Sequence, residues 1–146
     1  MIRPSADNFT WHGVDIHPYK EDGGTHFKSI TRQTLAPAEH DLPVELRYFE
    51  MAADGYSTME RHDHSHLVMI IRGSGEVMVG DTVTEVGVHD VVRIPPQTWH
   101  QFRATRGTEF GFLCVVHEVR DRPHRPTEEE VAELRQHPVV GAFFKV

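Results

Sequence analysis

The chain has 146 residues, 38% of them hydrophobic and 25% charged, with a formal net charge of −7 at pH 7. This length and composition predict a single globular domain over residues 1–146. The acidic balance disfavours nucleic acid as a partner, because phosphate backbones are also negative. The longest apolar runs have about five to seven residues, far fewer than the roughly 20 of a membrane helix, and the first residues lack the apolar core of a signal peptide. With a single cysteine as well, we expect a cytoplasmic protein that binds a small molecule and neither nucleic acid nor membrane.

Residues 1–26 are polar and predict an N-terminal arm with one or two short strands. From residue 27 to 119, short segments rich in Val, Ile, Phe and Thr alternate with turn residues, a pattern typical of an all-β sandwich or barrel built from hairpins. Within this region Gly73-Ser74-Gly75 is predicted to separate two strands. The predicted strands are 27–35, 44–53, 57–62, 66–72, 75–79, 82–86, 90–94, 99–104 and 109–119.

After Pro123 the pattern changes and predicts a helix over 127–137. Thr127 is a suitable N-cap, and Glu130 is placed to complete a capping box. Val131 and Leu134 give the helix one narrow apolar face, which we expect to dock on the outside of the barrel, followed by an apolar tail. This end of the chain is interpreted as a structural lid or a homodimer contact, with a substrate gate as the alternative.

Four side chains fall at intervals that suit one metal ion: Glu60, His62, His66 and His100. Residues two apart on a strand point the same way, so Glu60 and His62 can face one point. A tight bend at 63–65 returns His66 on the next strand, and His100 begins another strand after a turn at 95–98.

The strand pattern places two of these histidines inside the barrel. His66 shares its parity with Val68 and Ile70, and His100 shares its parity with Phe102. A buried imidazole without a partner costs about 1–3 kcal/mol. Clustering inward histidines is therefore unfavourable unless a divalent cation compensates for it.

The assignment of the ligands leaves alternatives open. If the bend is drawn differently, His62 and His64 bind the ion and Glu60 lies outside, and an empty site is the third possibility. Three imidazoles and a carboxylate do not select one metal; we prefer Mn²⁺ or Fe²⁺, with Ni²⁺ or Zn²⁺ as further options. An ion with two open positions supports lyase or isomerase chemistry through an enolate, whereas a dioxygenase or a non-catalytic ligand-binding protein are the competing functions.

Further residues are candidates for chemistry around the ion. His64 is predicted either to act as a general acid or base or to be an exposed loop residue. Cys114 is either a reactive thiol or an inert buried one. Arg47, Arg93 and Arg103 occupy strand positions where apolar residues are common, so that one of them is a candidate for gripping a substrate anion.

The chain resembles the cupin superfamily over roughly residues 44–116. Two motifs carry the resemblance: Gly55, Glu60, His62, His66 and Gly73, then Gly87, Asp90, Pro95-Pro96 and His100-Gln101-Phe102. The resemblance implies a jelly-roll β-barrel with a metal site inside it. The first motif of cupins usually reads His-x-His-x3-Glu, so the ligand types are permuted here. The order Glu-x-His-x3-His is similar to that of manganese cupins such as ureidoglycine aminohydrolase, which implies that Glu60 is a ligand.

A weaker resemblance concerns a subgroup of small bacterial cupins. It rests on Glu60-Arg61-His62, on 111–116 and on Arg120-Asp121-Arg122-Pro123. The subgroup is associated with methylthioadenosine salvage, in which a manganese cupin uses glutathione to remove the methylthio group from 1-methylthio-xylulose 5-phosphate. It implies a role for Cys114 in sulfur chemistry and for an arginine in phosphate binding.

Overall fold

The computed structural model describes residues 1–20 and 23–146, which form ten strands and two helices. Residues 21 and 22 of the predicted arm lie outside the described residues. The strands are β1 (Ser5–Ala6), β2 (Thr10–Trp11), β3 (His17–Pro18), β4 (Lys28–Ala36), β5 (Val44–Tyr56), β6 (His66–Val79), β7 (Thr82–Gly87), β8 (Val91–Ile94), β9 (His100–Ala104) and β10 (Phe110–His117), and the helices are α1 (Glu128–Gln136) and α2 (Val140–Phe143).

The strands close into a barrel around the two long strands β5 and β6. Strand β10 lies between them and pairs antiparallel with both. Strand β9 also contacts both, through Gly75–Val79 of β6 and the end of β5. The flanks are completed by β4 and β3 beside β5, and by β7 and β8 beside β6. The predicted all-β barrel with a short C-terminal helix is thereby confirmed.

Strand β6 corrects the prediction of two separate strands over 66–72 and 75–79. The chain passes through Gly73 without ending the strand, at a left-handed φ of 63°. A Cβ at this position would lie 1.8 Å from the carbonyl oxygen of Glu109. Only glycine fits this bend without strain, and the bend lets one strand contribute to both sides of the barrel.

The core lies inside the barrel and follows the predicted alternation. Val68, Ile70 and Phe102 are buried to within 4% exposure, in one cluster that also contains Phe49 and Phe112. The prediction that one face of β6 and one face of β9 point into the barrel is therefore confirmed, and these are the faces that carry His66 and His100.

The predicted strand over 57–62 is wrong. This segment forms only isolated bridges, Glu60 with His100 and Arg61 with His124. Neighbouring residues of this segment bond to two different parts of the chain, so no continuous ladder forms. Each bridge nevertheless fixes the position of the segment. The N-terminal arm contains three two-residue strands, where one or two were predicted, and its first two pair with each other.

The C-terminal helix is confirmed with its predicted cap. The Thr127 side chain accepts the N–H of Glu130, whose carboxylate accepts the N–H of Thr127 in return. Val131 and Leu134 pack against a second cluster beside the barrel that contains Met59 and Phe144. Among the described residues, no helix is both long enough and apolar enough to span a membrane.

Candidate metal centre

Hydrogen bonds between distant segments hold the candidate ligands together. The N–H of Glu60 donates to the carbonyl of His100 (3.2 Å), and the N–H of His100 donates to the carbonyl of Glu60 (3.0 Å). The carbonyl of His62 accepts the N–H of Gln97 at 2.7 Å. The irregular segment before β6 is thus attached to the start of β9, and the side chains of both enter the barrel together.

Three imidazoles converge inside this frame. One ring nitrogen each from His62, His66 and His100 lies within 4.8 Å of the others. His62 and His100 are 2% and 3% exposed, and His66 is partly buried. Three of the four predicted ligands therefore form a group with the spacing of a metal site.

The outer ring nitrogens are already engaged. Nδ1 of His62 lies 2.7 Å from the carbonyl oxygen of His64, and Nδ1 of His100 lies 2.9 Å from that of Thr98. A nitrogen that faces a carbonyl must carry the proton, which leaves Nε2 with a free lone pair. Nδ1 of His66 contacts the sulfur of Cys114 at 3.5 Å.

The inner nitrogens provide the test of whether a metal fits. Nε2 of His62 and Nε2 of His66 are buried, and neither has a hydrogen-bond partner within residues 1–20 and 23–146. Each unpaired nitrogen costs about 1–3 kcal/mol. A divalent cation fits here because it would accept these lone pairs, and imidazole is a ligand for most transition metals.

The electrostatic environment keeps these imidazoles neutral. Burial, followed by the neighbouring imidazoles, lowers the pKa of His66 to about 2. Burial also lowers the pKa of His100 to about 4 and that of His62 below its usual value. Neutral imidazole is the form that binds a metal, so the group is ready to coordinate at pH 7.

Glu60 lines the cavity beside the group without belonging to it. Its side chain is 8% exposed, and its Oε2 pairs with Nζ of Lys20 at 2.5 Å. The cavity is also lined by His66, His100 and Cys114. Glu60 as the fourth ligand remains a prediction, with Lys20 of the arm as a partner that the sequence did not reveal.

His64 belongs to a second cluster, with His62 and Asp121. Its ring stacks on that of His62, with centroids 3.8 Å apart, and its Nδ1 lies 2.7 Å from Oδ1 of Asp121. The His64 side chain is only 9% exposed, so the exposed-loop alternative is wrong.

Asp121 fixes the bend that carries His64. Its carboxylate accepts the backbone N–H groups of Asp63 (2.8 Å) and His64 (3.2 Å). Although partial burial raises the pKa of Asp121, these bonds and the one from the His64 ring lower it to about 2. Sequence reasoning missed this residue, because nothing local connects Asp121 to a loop 57 positions earlier.

Cys114 is a buried thiol in the cavity wall. The residue is 2% exposed. Burial raises the pKa of the thiol to about 12, although the positive charges of Arg47 and Arg120 act to lower it. Tyr19 of the arm lines the same cavity, and burial followed by the charge of Glu60 raises the pKa of its phenol. Both neutral groups line the space next to the imidazoles.

Comparison with known proteins identifies the relatives of this fold. Residues 47–116 match the family model described as "Cupin domain". A curated protein of Rhodospirillum rubrum named 1-methylthio-D-xylulose 5-phosphate methylsulfurylase is 48% identical over 142 residues, covering 97% of this chain and 90% of that protein.

Solved structures agree with this relationship. A cupin 2 conserved barrel domain protein from Rhodopseudomonas palustris is 46% identical with a TM-score of 0.93, and all of each chain is covered. A cupin-2 domain protein from Rhodospirillum rubrum is 47% identical with a TM-score of 0.87, covering 97% of this chain and 95% of that one.

Proposed function

The chain belongs to the cupin family, and from this premise we propose that it is a metal-dependent enzyme that removes the methylthio group from a phosphorylated ketose, 1-methylthio-xylulose 5-phosphate. The observation that carries the proposal is the placement of the Cys114 thiol against the imidazole of His66, which has a buried, unpaired Nε2. The name of the 48% identical relative supports the choice of substrate.

We assign the metal to His62, His66 and His100, with Glu60 as the fourth ligand and Mn²⁺ as the ion. A divalent cation held by these residues would supply polarisation of the substrate carbonyl and would stabilise negative charge on the ketose. The backbone carbonyls of His64 and Thr98 orient two of the rings from behind. Such outer contacts fix the tautomer and hold each ring in place.

Cys114 receives the methylthio group in this proposal. Its sulfur attacks the substrate sulfur and forms a disulfide, while the bond between that sulfur and C1 breaks and its electron pair goes to C1. The thiol loses one proton in this step and C1 gains one, so that C1 becomes a methyl group. A glutathione thiol then attacks the mixed disulfide, and Cys114 regains its proton as methylthio-glutathione disulfide leaves.

His64 is the proposed proton carrier for these steps. Its Nδ1 is held by Asp121, so its Nε2 is the nitrogen that can accept or release a proton. The ring stacks directly on the ring of His62, and this contact with a proposed metal ligand supports the role. Tyr19 lines this buried cavity, and its ring restricts the access of water to the reacting carbon.

The proposal is tested with protein purified without added metal. Metal content is measured first, and the manganese-loaded protein is then incubated with 1-methylthio-xylulose 5-phosphate and glutathione. We expect equal amounts of 1-deoxy-xylulose 5-phosphate and methylthio-glutathione disulfide by mass spectrometry, with no oxygen consumed. Oxygen uptake by an iron-loaded form instead indicates a dioxygenase, and binding without turnover indicates a ligand-binding protein; either result overturns the proposal.

A further inference from the structure

A cluster of arginines lies on the inner face of the barrel, next to Cys114. Arg47 of β5 is the direct cross-strand partner of Cys114 of β10. Residues directly opposite each other point to the same face, with Cβ atoms about 4.5–5.5 Å apart. Because Cys114 lines the cavity, Arg47 must also face the interior, as does Phe49 two positions along the same strand.

Arg47 is joined there by a second and a third arginine. Oε2 of Glu45 accepts bonds from Nε of Arg47 (2.6 Å) and from its terminal nitrogen, while Oε1 of Glu45 accepts one from Arg120 (3.3 Å). Arg32 of β4 pairs with Phe49 and therefore shares this face, and its Nε is buried with no hydrogen-bond partner within the described part of the chain. Two guanidinium groups thus share the carboxylate of Glu45, and a third lies on the same face of the sheet.

The charge balance of this cluster calls for an anion. Three arginines and Glu45 leave a formal charge of +2, and a phosphate monoester carries about −1.5 to −2 at pH 7. Guanidinium groups match phosphate oxygens with paired hydrogen bonds. Burial lowers the pKa of Arg47, and the positive charges of Arg120 and Arg32 lower it further. This effect agrees with the close approach of the three cations.

We infer that Arg47 and Arg120, assisted by Arg32, form the subsite for the phosphate group of the substrate, and that the carboxylate of Glu45 takes this place when no phosphate is bound. The inference rests on the proposed function, since it concerns the phosphate of that ketose. In a ketose 5-phosphate the phosphate group lies three carbons beyond the carbonyl. His66, Cys114 and Arg47 lie on the neighbouring strands β6, β10 and β5, so the phosphate subsite is in the same barrel as the proposed metal ligands and the proposed reactive thiol.

The other arginines that the sequence suggested do not compete for this role. Arg93 is exposed. Arg103 donates to the carbonyl of Phe143 and packs on its ring, outside the barrel. Arg72 offers a matched control, because it is as buried as Arg47 and also pairs with glutamates, at Glu50 and Glu109.

The test measures binding apart from turnover. Chelator-treated protein is titrated with inorganic phosphate by calorimetry, and metal-loaded protein is titrated with D-xylulose 5-phosphate and with D-xylulose. We expect R47Q and R120Q each to weaken phosphate and xylulose 5-phosphate at least tenfold with D-xylulose unchanged, and R72Q to alter neither. E45Q removes the competing carboxylate and is expected to strengthen phosphate binding, which a purely structural role for the cluster does not predict.

The outcomes separate this inference from the proposed function. Preference for the phosphorylated sugar that depends on Arg47 supports the subsite, even where no methylthio transfer is found. If methylthio transfer proceeds while R47Q and R120Q, folded by their melting curves, bind xylulose 5-phosphate within threefold of the wild type, the subsite is overturned and the function stands. Equal binding of xylulose and its phosphate by the wild type also overturns it.

Discussion

Two clusters share His62, and substitution decides which of them holds the metal. The first contains His66 and His100, and the second contains His64 and Asp121. We predict that His62→Ala and His66→Ala each weaken metal binding at least tenfold, whereas His64→Ala and Asp121→Asn leave it unchanged. The reason is that the unpaired buried nitrogens belong to His62 and His66, while His64 and Asp121 already satisfy each other.

The loss of metal affinity in each variant can be measured by thermal unfolding. Free metal at 100 times its Kd stabilises the folded state by about 2.7 kcal/mol, which for a chain of this size raises Tm by about 5–11 °C. A tenfold weaker variant at the same free metal keeps only about 1.4 kcal/mol of that stabilisation. The increase in Tm on adding Mn²⁺ should therefore fall by about half in His66→Ala and remain complete in His64→Ala.

The assay compares each variant with its own chelator-treated form, so that the direct effect of the substitution on folding cancels. Metal content by elemental analysis gives an independent reading. A full manganese-induced increase in Tm for His66→Ala, together with its loss in His64→Ala or Asp121→Asn, would place the metal in the outer cluster and refute the assignment.

Three further predictions concern chemistry and stability. Cys114→Ser should retain the bound metal but lose methylthio transfer, measured by mass spectrometry; transfer at the wild-type rate would remove Cys114 from the mechanism. Gly73→Ala should destabilise the fold by about 3 kcal/mol or more in urea unfolding, because a Cβ meets a carbonyl oxygen at a left-handed φ. Gly107 is the control, because it has a similar φ but nothing within 4 Å of an added Cβ, so that Gly107→Ala should destabilise the fold by only about 1–2 kcal/mol. Equal losses of stability in the two variants would argue against the close approach of the Glu109 carbonyl to Gly73. Thr127→Ala should cost about 0.5–2 kcal/mol by the same measurement, and no change would show that the cap is redundant.

The fold was largely accessible from sequence because its strands alternate with clear turn residues. The parity of His66 with Val68 and Ile70 correctly turned that residue inward. The break predicted at Gly73 failed for a physical reason: glycine signals a special backbone geometry, and sequence alone does not distinguish a turn that ends a strand from a bend within it. The segment 57–62 failed similarly, since its bridges go to residues 40 and 63 positions away.

Part of the candidate site was also predictable from the sequence, and part was not. Histidine spacing predicted that His62, His66 and His100 meet. Strand parity sets the direction of His66 and His100, whereas His62 lies outside the strands and is held by the bond from Gln97 to its carbonyl. The partners Lys20 and Asp121 come from the two ends of the chain, and their contacts with Glu60 and His64 depend on how the arm and the C-terminal segment cross the barrel. No local pattern encodes those crossings, so they required the three-dimensional structure.

The position of β10 explains how one cysteine can contact two different kinds of site. Because β10 pairs with β6 on one side and β5 on the other, Cys114 has Val68 and Arg47 as its cross-strand partners. His66, two positions from Val68 on the same face, reaches its sulfur from the first side. A thiol at this position therefore lies between neutral imidazoles and guanidinium groups. Moving Cys114 by one position along β10 would turn its sulfur out of the barrel, so the strand register itself determines that the thiol lies beside both kinds of group.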